Sequence, residues 1–214
     1  MILKIIKALV PPVIPMAYRK LFPAKEQSIG LFDGDEALFI GEVMSAKIYG
    51  EYGCGQSTKW VLNNTTAKVI AVDTSSEWIT TVQNDNQDNN ARLTIHHSDL
   101  GEVGDWGRPL SYEQRSHFSD YTDFVWNQSD KPDLVLVDGR FRVCCFLTVL
   151  KLADAGTRII FDDYTDRPHY HIVEKYAPRV KECGRQCLFV VPQKSDIDMD
   201  ELERDISAFR YVMD

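Results

Sequence analysis

The sequence predicts an α/β protein whose core is a doubly wound, mostly parallel sheet of seven strands ending in an antiparallel hairpin. Between residues 35 and 176, short apolar segments alternate with segments of helical periodicity, which is the pattern of β-α-β units. Two further apolar segments, at residues 179–183 and 187–191, are separated by a turn at Gly184 and Arg185 and predict the hairpin.

The individual elements follow from this alternation. The five parallel strands are predicted at residues 47–50, 68–72, 92–96, 133–137 and 158–161. Helices are predicted around and between them, at residues 35–46, 57–63, 76–86, 143–153 and 170–176. We expect a domain over residues 35–194, an N-terminal arm before it at residues 1–34, and a C-terminal helix within residues 195–214. That helix is predicted because apolar residues recur there at helical spacing, namely Leu202, Ile206, Phe209 and Met213.

Composition and charge narrow the class of protein. The chain has 214 residues, of which 44% are hydrophobic and 26% charged, as in globular proteins that bury a core without crosslinks. Its 24 basic and 32 acidic residues give a net charge of −8, which argues against nucleic acid as a partner because phosphate binding needs a basic surface. The five cysteines show no metal-ligand spacing and are expected to be reduced thiols, as in a cytoplasmic protein.

Residues 1–22 combine apolar residues with lysines and prolines. Lys4 and Lys7 interrupt the apolar run and Pro11 breaks it, so the run is too short for a spanning helix. Two alternatives stay open for this segment. It is either an arm that packs on the domain or on a partner subunit of a homo-oligomer, or a basic amphipathic anchor at a membrane surface.

Residues 101–131 form a long insert without clear periodicity between the third and fourth strands. A compact domain rarely keeps so many irregular residues without a use. Trp106, Tyr112 and Trp126 make it a candidate lid whose aromatic rings could stack on a sugar. The alternative is a loop packed on its own aromatic residues.

The residues that follow each strand are the candidate site, because ligands of such sheets bind beyond the carboxyl ends of the strands. A loop with Gly53 and Gly55 follows the first strand, and the next helix begins at Ser57, where free backbone N–H groups can approach a ligand. Glu51, two residues before the first glycine, suits a ligand ammonium group better than a pyrophosphate. Thr58 stands where a dinucleotide fingerprint would have its third glycine.

Acidic residues follow the next two strands. Asp73 is placed for ribose hydroxyls, and Asp99, which follows Ser98, for the amino group of a purine. Together with the glycine loop, this order resembles that of class I S-adenosylmethionine (SAM)-dependent methyltransferases over about residues 35–192. The resemblance implies SAM as the cofactor, with its methionine part at the glycine loop, its ribose at Asp73 and its adenine at Asp99.

Three carboxylates follow the fourth and fifth strands: Asp138, Asp162 and Asp163. Oxygen ligands of this kind could hold Mg²⁺, which would acidify a substrate hydroxyl. The arrangement resembles that of metal-dependent O-methyltransferases of the catechol and macrolide-sugar types. The alternative, which the sequence leaves open, is that Asp138 and Asp163 form ion pairs with nearby arginines, namely Arg140, Arg142 or Arg167.

The predicted catalytic residues are Asp138, Arg140 and His169. His169 is a candidate general base because histidine titrates near neutral pH, and His171 is a second candidate on the same segment. The arginines suggest an anionic acceptor, since a guanidinium matches carboxylate and phosphate groups. Residues 138–142, 162–164 and 167–170 resemble the corresponding segments of bacterial methyltransferases of surface-polysaccharide pathways, which implies a sugar, nucleotide-sugar or glycan hydroxyl as the acceptor.

The sequence therefore predicts a cytoplasmic SAM-dependent O-methyltransferase, placed at the inner face of the membrane if its acceptor is a lipid-linked glycan. Two alternatives remain. An NAD(P)-dependent oxidoreductase shares the sheet and Asp73 but leaves Glu51 and Asp99 without a role. A module that binds the nucleoside cofactor without catalysis leaves the acids after the fourth and fifth strands without a role.

Overall fold

The computed structural model describes residues 30–32 and 35–214. The chain divides into two compact units, residues 1–33 and 34–214. In the first unit only a bend at residues 30–32 is described, so the predicted arm or membrane anchor at residues 1–22 lies outside the described residues. The second unit holds the predicted sheet and its helices.

Seven strands and six α-helices are found among the described residues. The strands are β1 (Ile48–Tyr52), β2 (Lys68–Asp73), β3 (Leu93–His97), β4 (Leu134–Val137), β5 (Arg158–Phe161), β6 (Lys181–Cys183) and β7 (Gln186–Val190). The helices are α1 (Ala37–Val43), α2 (Gln56–Asn64), α3 (Ser76–Asp85), α4 (Phe118–Asp123), α5 (Arg142–Leu152) and α6 (Met199–Phe209). None of these helices has the length and apolarity needed to cross a bilayer.

The seven strands form one sheet in the order β3-β2-β1-β4-β5-β7-β6. β1 to β5 are parallel, and the β6–β7 hairpin joins the edge of β5 in the antiparallel sense. All four residues of β4 are buried, as expected for a central parallel strand covered by helices on both faces. The fold class predicted from the sequence is therefore confirmed.

Two helices at the chain's second half close one face of the sheet. α5 is buried over almost its whole circumference, because it lies between the sheet and α6. α6 begins where the side chain of Asp198 accepts a hydrogen bond from the backbone N–H of Glu201, at 2.9 Å, and it buries Leu202 and Ile206. The predicted C-terminal helix thus contributes to the core of this unit.

The helical segment predicted at residues 170–176 is a 3₁₀-helix over Pro168–Lys175. Its two buried residues, Tyr170 and Val173, are three positions apart. Three residues per turn place both on the same face, whereas an α-helix would separate them by 60°. Burial of this pair against the core therefore agrees with the tighter helix.

The insert at residues 101–131 divides into two parts. Its second half contains α4 and a 3₁₀ turn at Phe124–Trp126, and its aromatic side chains Phe118, Tyr121 and Trp126 are buried in the core. Trp126 donates its indole N–H to the hydroxyl of Tyr52 at 2.9 Å, so the expectation that it stacks on a sugar is wrong. The first half exposes Trp106 and Tyr112, and its role as a lid stays a prediction.

Candidate functional site

The carboxyl ends of five adjacent strands lie at one level. Backbone hydrogen bonds of 2.9–3.1 Å join the end of each strand to that of its neighbour in the sheet. The N–H groups of Ser98, Gly53, Asp138 and Asp162 donate to the carbonyl groups of Asp73, Val72, Tyr52 and Val137, respectively. The structure therefore brings the acids and glycines predicted from the sequence to the same edge of the sheet. His169 lies further along the chain than the loops that directly follow these strands, on the 3₁₀-helix.

The loop after β1 contacts the loop after β4 through glycine backbone. Gly53 has φ +91°, and a Cβ there would lie 2.7 Å from the Cα of Gly139. A Cβ on Gly139 would overlap the hydroxyl of Tyr121 and approach the backbone N of Gly53 to 2.8 Å. Because of this contact, Asp138 lies directly beside the glycine loop. Gly55, in contrast, has extended backbone, and a Cβ there would meet no described atom within 4 Å.

Glu51 lies buried beneath this loop. The hydroxyls of Ser57 and Thr58 each donate a hydrogen bond to one of its carboxylate oxygens. Thr58 also accepts a hydrogen bond of 2.9 Å from the backbone N–H of Gly55, so the threonine at the position of the missing third glycine ties the loop to Glu51. Burial raises the pKa of Glu51 to about 7, against the hydrogen bonds from the two hydroxyls.

Glu51 makes the stability of the fold depend on pH. Its pKa in the folded protein lies above its ordinary value of 4.5, so its contribution is fully present below about pH 4.5 and is lost as pH rises through about 7. The loss corresponds to about 3 kcal/mol in the free energy of unfolding. We expect urea titrations between pH 4.5 and 7.5 to show this decline in the wild type and a flatter profile in Glu51→Gln. Equal slopes in the two proteins would contradict it.

Asp73 holds the ends of two loops. Its Oδ2 accepts a hydrogen bond from the backbone N–H of Cys54 and its Oδ1 from that of Ser75, both at 2.7 Å. Burial raises the pKa of Asp73, and these two donors act in the opposite direction. Each oxygen keeps a second lone pair for a ribose hydroxyl. The turn of the insert lies next to it, since the hydroxyl of Thr74 donates to the carbonyl of Gly107 at 2.6 Å.

The adenine end of the predicted site lies after β3. Asp99 is exposed, and its Oδ1 accepts a hydrogen bond of 3.1 Å from the backbone N–H of Gly101. The hydroxyl of Ser98 is buried and has no hydrogen-bond partner among the described residues. A buried hydroxyl without a partner costs free energy that a polar ligand atom would recover. The unpartnered hydroxyl of Ser98 and the open space at Gly55 both fit a bound nucleoside cofactor.

The three acids after β4 and β5 are held by arginines. Arg142 contacts Asp138 at 3.2 Å and Asp163 at 3.5 Å, while Arg167 contacts Asp163 at 2.5 Å. Arg185 binds both oxygens of the fully buried Asp162 and lies 3.1 Å from Asp163. The ion-pair alternative is thus the one the structure supports.

These contacts do not fit a metal centre at Asp138, Asp162 and Asp163. Arg142, Arg167 and Arg185 already hold the three carboxylates, and the described residues contain no group of three or more His, Cys, Asp or Glu side chains arranged to hold a metal ion. A hard cation would have to displace three arginines from a low-dielectric site. We therefore derive no step through a metal.

Addition of Mg²⁺ checks this conclusion. A ligand present at a hundred times its dissociation constant stabilises a protein by about 2.7 kcal/mol. We expect millimolar Mg²⁺ to leave the thermal unfolding midpoint where Na⁺ of equal ionic strength leaves it. A higher unfolding midpoint in Mg²⁺ than in Na⁺, with the difference lost in Asp162→Asn, would contradict this conclusion and support the metal site.

The three candidate bases, Asp138, His169 and His171, differ in their surroundings. Burial raises the pKa of Asp138, and the nearby Asp162 raises it further, whereas Arg142 lowers it. His169 is exposed, and its ring packs on Tyr170 with the centroids 4.2 Å apart. His171 is held at both ring nitrogens, by the carbonyl of Tyr164 and by Arg179. The structure thus places Asp138, rather than either histidine, beside the glycine loop, and a catalytic role for His169 stays a prediction.

Sequence reasoning missed three residues of this region: Tyr121, Arg185 and Asp214. Tyr121 accepts a hydrogen bond of 3.1 Å from the backbone N–H of Arg140, and the side chain of Asp214 accepts one from Arg142. Arg185 occupies the hairpin turn next to Gly184, and nothing in the local sequence pattern indicates that its side chain reaches the acids after β5. Each comes from a segment distant in sequence, so only the folded chain brings it to the site.

The fold matches solved methyltransferase structures. A methyltransferase-like protein from Silicibacter pomeroyi DSS-3 is 27% identical, covering 94% of this chain and 96% of that chain, with a TM-score of 0.68. An O-methyltransferase of tomaymycin synthesis from Streptomyces achromogenes, solved with SAM, is 13% identical over 86% of this chain and 91% of that chain, with a TM-score of 0.50. A putative O-methyltransferase from Klebsiella pneumoniae is 14% identical over 89% and 94%, also with a TM-score of 0.50. No family model and no curated protein matches the chain.

Proposed function

We propose that this chain is a SAM-dependent O-methyltransferase that acts on the hydroxyl of an anionic acceptor. The chain has the class I SAM-dependent methyltransferase fold, with the sheet order and antiparallel seventh strand of that fold. The observation that carries the activity is the contact between Gly53 and Gly139, because it sets a candidate base next to a loop shaped for the cofactor. Similarity to O-methyltransferases supports oxygen as the methylated atom.

Four features of the chain fit the cofactor. Glu51 offers a buried carboxylate near the ammonium group, and the open space at Gly55 leaves room for the methionine part. Asp73 and the unpartnered hydroxyl of Ser98 offer hydrogen bonds to the nucleoside. When bound, SAM supplies a methyl group on a sulfonium, which an oxygen nucleophile attacks in line.

Asp138 is the residue we assign to the proton of the acceptor hydroxyl. Its pKa is raised, first by burial and then by Asp162, which makes this carboxylate a stronger base than an ordinary aspartate. The ion pair with Arg142 holds its Oδ1 in place at 3.2 Å. Proximity of the held acceptor to the methyl group then supplies much of the acceleration.

Arginine side chains at the same edge support an anionic acceptor. The Nε of Arg140 has no hydrogen-bond partner among the described residues, and the side chain of Arg167, which pairs with Asp163, is partly exposed. A sugar, nucleotide-sugar or glycan with a carboxylate or phosphate group matches this charge. Exposed Trp106, at 83% of its full accessible surface, could stack on such a sugar.

Calorimetric titration with S-adenosylhomocysteine, the product of SAM after transfer, tests the cofactor. We expect micromolar binding by the wild type. Asp73→Asn should weaken it about tenfold or more, because a charged hydrogen bond is worth about 1.5–3 kcal/mol. Asp88→Asn, which removes the same charge at an exposed position, is the matched control.

The same titration with NAD separates this proposal from the oxidoreductase. Binding of NAD without binding of S-adenosylhomocysteine would overturn the proposal. If S-adenosylhomocysteine binds, loss of turnover in Asp138→Asn with affinity retained distinguishes the enzyme from a non-catalytic module. Screening of phosphorylated and uronate sugars then addresses the acceptor.

A further inference from the structure

The side chain of Asp214 lies at the N-terminal end of α5. Its Oδ1 accepts a hydrogen bond of 3.1 Å from the backbone N–H of Arg142, the first residue of the helix. The N-cap residue, Phe141, has φ +54° and no side-chain acceptor, so the helix receives its acceptor from a residue 72 positions away. This end of α5 is also the carboxyl edge of β4, where Asp138 lies.

Arg140 adds positive charge that the site does not balance. Its Nε is buried and has no hydrogen-bond partner among the described residues. Burial and the cation of Arg142 lower the pKa of Arg140, and the groups that act in the opposite direction are Tyr121, Asp214 and Tyr170. The Arg142 side chain, in contrast, is saturated by carbonyls and by Asp138 and Asp163. Of the groups that raise the pKa of Arg140, Asp214 is the carboxylate.

Residues 210–214, which we call the strap, follow α6 without regular structure. The ring of Tyr211 packs on Phe118, and the carbonyl of Tyr211 accepts a weak hydrogen bond of 3.3 Å from the hydroxyl of Tyr112. Tyr211 and Val212 are both exposed. Met213 packs partly buried against the core, and Asp214 bonds to α5. Opening of the strap breaks these contacts but leaves the sheet intact, so it costs less free energy than unfolding of the domain.

We propose that Asp214 occupies the place of the acceptor's anionic group and that the strap is an autoinhibitory contact which the acceptor displaces. The inference rests on the proposed function, because it assigns this edge of the sheet to the acceptor. A helix N-terminus combined with a guanidinium is selective for oxyanions. The acceptor group that takes the place of the Asp214 carboxylate is therefore another carboxylate or a phosphate. The strap thereby keeps Arg140 and the helix end from other anions until the acceptor arrives.

Calorimetric titration with inorganic phosphate tests the strap on the full chain. If the strap covers the site, the apparent affinity for phosphate equals the intrinsic affinity multiplied by the fraction of molecules in which the strap is undocked. We expect Asp214→Ala to bind phosphate about tenfold more tightly than the wild type. Asp200→Asn, an exposed charge removal in the same helix–strap region, should not change the affinity. Arg140→Met in the Asp214→Ala background should cancel the gain.

Further arms keep each outcome decisive. Asp214→Asn retains a hydrogen-bond acceptor for α5 and should show a gain in the same direction if Asp214→Ala does not fold. A parallel titration uses acetate in place of phosphate. If Asp214→Ala gains affinity for phosphate alone, the anionic group of the acceptor is a phosphate ester. If it gains affinity for acetate, that group is a carboxylate. Equal phosphate affinity in the wild type and the Asp214 variants, or an equal gain in Asp200→Asn, would overturn the strap. Failure of S-adenosylhomocysteine to bind would instead overturn the proposed function.

Discussion

Replacement of Gly53 by alanine is expected to destabilise the fold by about 2–5 kcal/mol. Left-handed backbone costs an alanine about 1–2 kcal/mol, and overpacking a tight contact adds about 1–3 kcal/mol. Both apply here, because Gly53 has φ +91° and its Cβ would lie 2.7 Å from the backbone of Gly139. Both glycines closely follow the paired strand ends Tyr52 and Val137, which restrict how far either backbone can shift. Urea denaturation of the purified variant measures the change.

Gly55→Ala is the matched control for this prediction. The backbone at Gly55 is extended, and an added Cβ meets no described atom, so the free energy of unfolding should stay within about 0.5 kcal/mol of the wild type. Its affinity for S-adenosylhomocysteine should nevertheless fall, because the methyl group would enter the space we assign to the cofactor. Similar stability losses in the two variants would contradict the described loop, and unchanged affinity in Gly55→Ala would contradict the place of the cofactor.

The sheet could be predicted from the sequence because its strands are marked by patterns of neighbouring residues. β4 and β5 are short apolar runs, and the alternation with helices leaves one common way to arrange them. The site acids could be predicted for the same reason: Asp73 and Asp138 directly follow strands, and parallel strands end at one edge. These inferences need only neighbouring residues and the rule of the parallel sheet.

What the sequence could not predict depends on contacts between distant segments. Trp126 has the composition of a lid residue, yet its indole bonds to Tyr52, 74 positions earlier. The acids after β5 have the composition of a metal site, yet Arg185 from the hairpin neutralises them. In both cases the residue type allows two roles, and the partner that selects one of them is far away in the chain.

Replacement of Arg185 by methionine is expected to cost about 3–5 kcal/mol, because it leaves a buried carboxylate without its counter-charge. Asp162 has no exposed surface, and after the substitution its side chain would keep the hydrogen bond of 2.9 Å from the amide of Gln186. Lys68→Met breaks the ion pair with Asp130 at the surface, where both side chains are largely exposed, and should cost less than about 1 kcal/mol. Equal losses in the two variants, measured by urea denaturation, would contradict the buried pair.

The double variant Arg185→Met with Asp162→Asn separates charge from packing. If the loss in the single variant comes from the uncompensated carboxylate, removal of that charge should recover most of it, since neutral replacements of buried ion pairs are often tolerated. If the loss comes from the apolar contacts of the arginine stem, the second substitution should recover nothing. The difference between the double variant and the sum of the two single variants is the coupling of the pair. A large coupling would also explain why these acids serve the stability of the fold at the edge where a metal was expected.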